Sequence, residues 1–261
     1  MARSFKQAAL LMLFLPLASL AAGQPAFAQQ CERRLFEEAA YSVCTVRPGR
    51  DHLRLFWKDA GDKPYRNFSA VAEALAGDGR TLTFAVNAGM YRTDFSPLGL
   101  YIEDGRELRP VDTQIMKGAP GRVPNFYKRP NGVFFVDDAG AGVLPTDRFL
   151  KRRPDVRFAT QSGPMLVIDG ALNPIFIAGS TDRTRRSGVG VCEDGTVRFA
   201  ISEGVVNFHD FARLFRDRLH CPDALFLDGG NGAGLYSPEL GRNDISWHGG
   251  FGPILGVSED K

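Results

Sequence analysis

The sequence lacks the patterns that hold a structural zinc ion. It contains four cysteines and four histidines, but it has no Cys-x-x-Cys pair and no two histidines at ligand spacing. We therefore expect no metal site and no cofactor. Carboxylates at strand ends leave open a divalent cation bound through oxygen ligands, although no recognisable ligand spacing supports one.

A net charge of one sign is also missing. The chain has 32 basic and 30 acidic residues, and removal of residues 1–28 takes away two basic residues and no acidic one, which leaves 30 of each. A neutral chain does not bind nucleic acid or an anionic membrane through bulk charge, whereas a local basic patch still suffices for one phosphate. We predict no nucleic-acid partner.

Only the N-terminus carries a long apolar run. Ala8–Ala22 follows two basic residues and precedes the small residues Ala26–Ala28, which is typical of a cleaved secretory signal peptide. An uncleaved anchor helix is the alternative, but the run is shorter than the roughly 20 residues that cross a bilayer. The sequence predicts a signal peptide over 1–28, a domain over 29–261 without a further transmembrane span, and a periplasmic or secreted location.

All four cysteines follow this N-terminal segment, and their number is even. An exported chain meets an oxidising compartment, so we predict two disulfides. Three pairings are open. We favour Cys31 with Cys44 and Cys192 with Cys221, because partners that are nearest in sequence close the shorter loops.

Strand patterns dominate the rest of the chain, and Asp-Gly turns separate them. Asp104-Gly105, Asp169-Gly170 and Asp194-Gly195 each stand between two apolar runs, which is typical of β-hairpins. Amphipathic helices are predicted near Asn67–Ala76 and over Asn207–His220, the second with Asn207 as its N-cap. Hairpin-built strands with few helices indicate an α+β fold, which we expect to be a single domain with mixed, mainly hairpin-built sheets.

The stretch ALFLDGGNGAGLYSP, residues 224–238, is an apolar run that ends at Asp228 and continues into a glycine-rich turn. It fails the dinucleotide-binding spacing, because Leu235 stands where a third glycine is needed, and it has no lysine for a P-loop. We infer that the glycines let the chain turn sharply and leave Asp228 as a reacting group. A turn-forming aspartate that bonds its own backbone is the alternative.

Six further stretches accompany this one along the chain. They are FAVNAGMY (84–91), SPLGLYIEDG (96–105), NFYKRPNGVFFVDD (125–138), ATQSGPMLVIDG (159–170), RRSGVGV (185–191) and FAISEGVVNFHDFARLFRD (199–217). Taken in this order, and ending with LFLDGG, the set resembles the bacterial branch of the phosphodiester glycosidase family over roughly Leu82–Val257. The resemblance implies a hydrolase that acts on a sugar linked through a phosphodiester, and we expect its substrates among envelope or capsule glycans.

The resemblance also indicates candidate site residues. Asp228 and Glu203, each at the end of a strand-like run beside glycine, are the candidate catalytic carboxylates, and Arg186 is the candidate cation for the phosphate. The candidate substrate-binding residues are Asn87, Tyr91, Gln161, Ser162, Gly163, Arg183, Arg185, Gly229, Gly230 and Asn231.

One departure from the family pattern bears on function. Many members continue the Asp-Gly-Gly loop with serines, whereas this chain has Asn231-Gly232-Ala233-Gly234. Where a serine hydroxyl contacts phosphate in relatives, only a backbone N–H or Asn231 can replace it here. Two other functions therefore compete with the hydrolase: a non-catalytic module that binds anionic glycans, and a structural or partner-binding envelope protein.

Overall fold

The computed structural model describes Met1 and residues 30–119 and 121–261. The predicted signal peptide over 1–28 lies outside the described residues, apart from Met1. The described residues form three β-sheets, which pack around a shared apolar core and carry three α-helices.

The first sheet has seven strands and contains the stretch that ends at Asp228. In sheet order its strands are β1 (Gln30–Phe36), β2 (Ala39–Val46), β13 (Val197–Ser202), β12 (Arg186–Val191), β14 (Asp223–Gly229), β10 (Met165–Ile168) and β11 (Ala171–Leu172). The apolar run before Asp228 therefore lies in the interior of a sheet, with neighbours on both sides.

The other two sheets have five strands each. The second sheet has the order β16 (Arg242–Asn243), β15 (Leu235–Ser237), β4 (Arg80–Asn87), β17 (Ile254–Asp260) and β3 (Leu53–Phe56). The third has the order β6 (Arg106–Arg109), β5 (Tyr101–Glu103), β9 (Phe158–Ser162), β7 (Gly132–Asp137) and β8 (Gly140–Pro145). The α+β prediction is confirmed, and the pairings in the described residues are all antiparallel where mixed sheets were expected.

The three Asp-Gly turns connect hairpins, as predicted. Asp104-Gly105 and Asp169-Gly170 form two-residue loops in which both residues have positive φ, the conformation that matches the twist of paired strands. The Asp194-Gly195 turn is longer, because β12 and β13 pair only up to Val191 and Val197. There the aspartate keeps a negative φ and its carboxylate accepts from the Thr196 backbone N–H at 3.0 Å.

Both predicted helices are present, and a third was not predicted. α1 covers Phe68–Gly77 and α3 covers Phe208–Arg213, after which a π-helical turn runs over Leu214–Arg218. Asn207 caps α3, since its side-chain oxygen accepts from the Asp210 N–H at 2.8 Å. The unpredicted α2 covers Thr146–Arg152 and is too short for an apolar period to show. None of the helices in the described part of the chain is long and apolar enough to span a bilayer.

The main core lies where the three sheets meet. It brings together Val189, Phe199 and Leu227 of the first sheet, Phe84 of the second and Phe134 of the third. A second cluster packs α3 onto the outer face of the first sheet, and smaller clusters pack α1 on the second sheet and α2 on the third. Burial of apolar surface between the sheets therefore fixes how their strand ends meet.

The two disulfides pair as predicted. Cys31 and Cys44 lie directly opposite each other on β1 and β2, and their bond closes a separation of 13 residues. Cys192, just after β12, joins Cys221, just before β14, across a separation of 29 residues. The second bond joins the turn between β12 and β13 to the segment between α3 and β14.

Replacement of Cys192 and Cys221 together by alanine is expected to lower the free energy of unfolding by about 3–4 kcal/mol, because the bond restricts a long loop of the unfolded chain. The same change at Cys31 and Cys44 should cost about 3 kcal/mol, since the loop is shorter. Urea denaturation in non-reducing buffer measures both. A larger loss at Cys31 and Cys44 than at the other pair contradicts this ranking.

Candidate active site

Asp228 is held near the end of β14, between β12 and β10. Ala224–Leu227 are fully buried, so the position of the strand is set by core packing. The Ser187 hydroxyl donates to the Asp228 carbonyl oxygen at 3.0 Å and accepts from the Asp228 backbone N–H at 3.2 Å. The pairing of β12 with β14 shifts register between Ser187 and Gly188, an irregularity of the kind that re-aims side chains beside functional sites.

A cleft of about 530 Å³ opens beside the Asp228 side chain. Segments that are far apart in sequence form its walls: the loop after β4, the segment before β7, the turn after β14 and the loop before β17. The lining residues are Met90, Tyr91, Arg92, Thr93, Phe95, Leu98, Pro124, Phe126, Asp228, Gly229, Gly232 and His248. Of the predicted site residues, Tyr91, Asp228 and Gly229 therefore come together in one cleft.

Asp228 is half-buried in the cleft wall, and desolvation of its carboxyl group raises the pKa from 3.8 to about 7. The backbone N–H of Gly229 donates to Oδ1 at 2.7 Å, and this hydrogen bond lowers the pKa and so opposes part of the rise. Asp228 forms no ion pair within the described residues. Both protonation states are therefore populated near neutral pH, which suits a group that transfers protons.

The glycine-rich turn makes room for this carboxyl group. A β-carbon at position 232 would lie 2.3 Å from Asp228 Oδ2, so any larger residue there requires the carboxyl group to move. Asn87 supports the same turn from β4, because its side-chain oxygen accepts from the Gly234 N–H at 3.1 Å. The Gly230 N–H donates to the Arg185 carbonyl oxygen at 2.8 Å. Asn87 and Gly230 thus shape the turn and do not line the cleft themselves.

Tyr91 forms part of the cleft wall and is fixed in place. Its hydroxyl donates to the Gly250 carbonyl oxygen at 2.9 Å, and its ring stacks on Phe95 with 5.8 Å between centroids. Burial raises the pKa of Tyr91, and the nearby charge of Asp228 adds to the rise. The ring pair lies close to the acid, and the Arg66 guanidinium lies over the Phe95 ring at 4.2 Å from its centre.

Two charged or titratable residues of the cleft were missed by the sequence analysis, Arg92 and His248. Arg92 directly follows Tyr91 and is exposed, and His248 lies in the loop before β17. His248 Nε2 lies 3.2 Å from Asn231 Nδ2, which places the predicted residue Asn231 at the rim. The signal for Arg92 was its position beside the NAGMY segment, whereas His248 reaches the cleft only through the pairing of β17 with β4.

Gln161, Ser162 and Gly163 lie behind the cleft. The Gln161 side chain is buried, and its oxygen accepts from the backbone N–H groups of Leu100 at 3.0 Å and Asp112 at 2.9 Å. The Ser162 hydroxyl donates to the carbonyl oxygen of Leu227 at 2.7 Å. Gln161 and Ser162 thus support neighbouring backbone, and none of the three positions lines the cleft beside Asp228.

Arg186 does not face the cleft either. Its side chain is 1% exposed, with Nε donating to the Val206 carbonyl oxygen at 2.9 Å and Nη2 to that of Asp182 at 3.1 Å. The guanidinium lies 3.6 Å from the centre of the Phe208 ring, and desolvation lowers its pKa to about 10. Two of the three guanidinium nitrogens are thus bonded to backbone, and the third, Nη1, is buried without a hydrogen-bond partner. The sequence did not indicate that Arg186 is buried beneath α3, so the predicted contact with a phosphate in the cleft is not supported by its position.

Glu203 and Arg185 belong to a charged network on the other side of the turn. Glu203 accepts from Ser42 Oγ at 2.5 Å and from Arg242 Nη1 at 2.8 Å. Arg242 also pairs with Asp244, which accepts from Arg185 Nη2 at 2.6 Å. The expected pair of catalytic carboxylates is therefore not formed in the cleft, since the carboxylate of Glu203 is engaged with Ser42 and Arg242.

Arg183 and Arg185 lie in the segment that leads into β12, and their side chains contact different parts of the protein. Arg185 Nη1 donates to the Ala233 carbonyl oxygen at 3.3 Å and so braces the turn after Asp228. Arg183 is exposed and pairs with Asp210 of α3 at 3.3 Å. Across the described residues, no group of three or more His, Cys, Asp or Glu side chains is arranged to hold a metal ion.

The fold and the cleft define a class of protein: an α+β domain of antiparallel hairpin-built sheets in which an interior strand presents an acid to a cleft. The model of the phosphodiester glycosidase family matches residues 80–254. The chain therefore belongs to the phosphodiester glycosidase family, and the family predicted from the sequence motifs is confirmed.

Individual relatives agree with this assignment. Protein YigE of Escherichia coli K12 is 32% identical over 185 residues, which cover 71% of this chain and 70% of YigE. The catalytic domain of zebrafish N-acetylglucosamine-1-phosphodiester alpha-N-acetylglucosaminidase, auto-inhibited by its pro-peptide, is similar with a TM-score of 0.61 and 15% identity over 88% of this chain and 81% of that one. The crystal structure of a hypothetical protein from Synechocystis is similar with a TM-score of 0.54 and 15% identity, over 88% of this chain and 61% of that one. At this identity the two structures support the fold.

Replacement of Asp228 by asparagine is expected to stabilise the protein increasingly as the pH rises. An acid whose folded pKa is raised stabilises the folded state below its unfolded pKa of 3.8, and this contribution is lost as the pH rises through about 7. The free energy of unfolding of the variant, relative to wild type, should therefore grow by about 2–4 kcal/mol between about pH 4 and pH 8 in urea titrations.

Asp137→Asn is the matched control. Asp137 also ends a strand, and its carboxylate accepts from the Ala139 backbone N–H at 2.9 Å, but it lies outside the cleft. The difference in the free energy of unfolding between Asp137→Asn and wild type should not grow between about pH 4 and pH 8. A pH-independent difference for Asp228→Asn contradicts the raised pKa.

Proposed function

We propose that this protein is an exported hydrolase that releases a sugar from a phosphodiester, with Asp228 as its acid–base residue. The observation that carries the proposal is the desolvated Asp228 carboxyl group, with a pKa of about 7, in the wall of an open cleft in a phosphodiester glycosidase family chain. Export is supported by the two disulfides, which form in oxidising compartments. The substrates we propose are glycans of the cell envelope or capsule, met in the periplasm or outside the cell.

The chemistry of the leaving group decides the role of Asp228. A phosphate monoester leaves more readily than an alkoxide, so its departure requires electrostatic stabilisation more than a proton. Ionised Asp228 then acts as a general base and takes a proton from the attacking water. The water oxygen bonds to the anomeric carbon, the bond from that carbon to the phosphate oxygen breaks, and the phosphate monoester leaves with the electron pair.

Arg92 is the cation that we propose for the phosphate. It lines the cleft with Asp228, its side chain is exposed, and it forms no ion pair or side-chain hydrogen bond in the described part of the chain. A guanidinium matches two phosphate oxygens in a planar geometry. Arg92 therefore takes the role that the sequence analysis assigned to Arg186, whose guanidinium donates to backbone carbonyls.

The remaining walls suit a sugar. Tyr91 and Phe95 are partly exposed and stacked on each other in the cleft wall, and the buried Phe126 ring completes the lining. Aromatic faces bury the apolar face of a ring-shaped ligand, while polar groups fix its orientation. His248 and Asn231, joined at the rim, are the polar groups that we assign to sugar hydroxyls.

A non-catalytic module that binds anionic glycans is the alternative. It is favoured by one observation, the sequence Asn231-Gly232-Ala233-Gly234 where many relatives have serines. Such a module retains Arg92 and the aromatic wall but does not turn over substrate. Its ligand affinity depends on Arg92 and not on the ionisation of Asp228.

The proposal predicts sugar release from a panel of sugar-1-phosphodiesters by the disulfide-intact protein. Asp228→Asn should lower kcat/KM by a factor of about 100 or more, the usual contribution of an acid–base group. In wild type, kcat/KM should rise with pH through about 7, because the base must be ionised. Reactions in ¹⁸O-labelled water should place the label in the released sugar and not in the phosphate.

Controls separate the competing explanations. Asp137→Asn should retain the activity of wild type. Glu203→Gln tests the second predicted carboxylate, and a large loss of kcat in this variant would contradict the observed position of Glu203 outside the cleft. Parallel reactions with a chelator test for a divalent cation. Absence of turnover on every substrate, together with thermal stabilisation by a sugar-1-phosphodiester that is lost in Arg92→Gln, supports the binding module instead.

A further inference from the structure

A second cleft adjoins the Asp228 cleft and shares Arg92 with it. Its volume is about 410 Å³, and it lies between the loop after β4 and the segment that follows β6. Besides Arg92, its lining includes Gly99, Arg109 and the backbone and side chains of 110–114. Because Arg92 lines both clefts, a ligand whose phosphate reaches Arg92 from the Asp228 side can extend directly into the second cleft.

The charge of the second cleft favours an anion. Arg92 and Arg109 both line it, and neither side chain forms an ion pair or hydrogen bond within the described residues. The Arg109 Nε atom is buried there without a hydrogen-bond partner. Asp112 is the acidic residue in the lining, and its two carboxylate oxygens accept from the Gln114 N–H at 2.8 Å and from the Tyr127 hydroxyl at 3.2 Å.

An exposed acid near Arg109, Asp94, is engaged by a neighbouring serine. Asp94, whose carboxyl group senses the charge of Arg109, accepts from both the backbone N–H and the hydroxyl of Ser96 at 3.0 and 2.7 Å. It does not line either cleft. Two unpaired guanidinium groups therefore face the second cleft against one hydrogen-bonded carboxylate.

The floor of this cleft is held rigidly. The Gln161 side chain accepts from the Asp112 N–H at 2.9 Å and donates to the Asp112 carbonyl oxygen at 2.8 Å, as a neighbouring strand would. Arg129 Nη2 donates to the carbonyl oxygens of Thr113 at 3.0 Å and Gln114 at 2.8 Å. Gln161 of β9 and Arg129, which precedes β7, thus fix residues 112–114 before any ligand binds. This lowers the entropic cost of binding.

We propose that the Arg92–Arg109 cleft is an anion subsite that binds a second negatively charged group on the leaving side of the substrate. The inference rests on the proposed function for the direction of the substrate, but the subsite itself follows from the lining and its unpaired charges. It assigns the substrate class as glycosyl phosphodiesters whose aglycone carries a further phosphate or carboxylate. A glycan with a phosphate in every repeat satisfies this requirement.

Binding of pyrophosphate tests the subsite without any turnover. Isothermal titration of the wild-type protein should give a dissociation constant that rises about tenfold in Arg109→Gln, because one charge-assisted contact is lost. Arg106→Gln is the matched control, since Arg106 lies on the same strand β6 but outside the cleft, and its dissociation constant should match that of wild type. Equal affinity of Arg109→Gln and wild type overturns the proposal. Where Arg109→Gln lowers the melting temperature, Arg109→Lys provides a second variant with the charge kept and the planar geometry lost.

Paired substrates test the subsite during turnover. Sugar-1-phosphodiesters of glycerol, of glycerol phosphate and of glycerate share a three-carbon aglycone and differ in the anionic group that it carries: none, a phosphate or a carboxylate. In wild type kcat/KM should be about tenfold higher for a charged aglycone at low ionic strength and less so at high salt. The ratio should fall to about one in Arg109→Gln and stay high in Arg106→Gln.

The two arms distinguish the failure of this inference from the failure of the proposed function. Arg109-dependent pyrophosphate binding without turnover of any substrate supports the subsite and contradicts the hydrolase. Turnover without preference for a charged aglycone, and with affinity for pyrophosphate independent of Arg109, supports the hydrolase and overturns the subsite.

Discussion

The burial of the Asp228 carboxyl group without a paired cation is the constraint on which the rest of the site depends. An arginine in contact with this carboxylate would lower its pKa and leave it ionised throughout the neutral range. The structure instead places the nearest hydrogen bond at the Gly229 N–H and fixes the strand end through Ser187. Ionisation in the folded state then costs up to about 4 kcal/mol, which is within the stability of an ordinary domain. Because the pKa is raised to about 7, the carboxyl group exchanges its proton near neutral pH.

The arginines around the site divide according to what they contact. Arg185, Arg186 and Arg242 donate to carbonyl oxygens or carboxylates of the protein, and they fix the turn after Asp228 and the segment under α3. Arg92 and Arg109 have no such partners in the described residues and face clefts. Residue type is the same in both groups, so the difference arises from tertiary contacts. The first group stabilises the fold, and the second group is the one that we propose for a ligand anion.

Local sequence patterns predicted most of the architecture but only part of the site. The Asp-Gly hairpins, the cap at Asn207 and the disulfide pairing follow from short-range chemistry, and Asp228 was recognisable because an apolar strand ends there in a glycine turn. Glu203 shows the same local pattern, yet its carboxylate is engaged with Ser42 and Arg242. A strand end beside glycine does not disclose which distant groups meet it. His248 is brought to the cleft by the pairing of distant strands, which no local pattern encodes.

The loop sequence that departs from the family pattern has a steric explanation. A β-carbon at position 232 would overlap the Asp228 carboxyl group, and one at position 234 would lie 2.3 Å from the Phe251 ring. Ala233 is buried, and its carbonyl oxygen accepts from Arg185. Of these loop positions, Asn231 alone is exposed, and its side chain contacts His248. A serine at 232 or 234 therefore requires the Asp228 carboxyl group or the Phe251 ring to shift. For the function proposed above, contacts to a phosphate are therefore assigned to another wall of the cleft, where Arg92 is the cation that we propose.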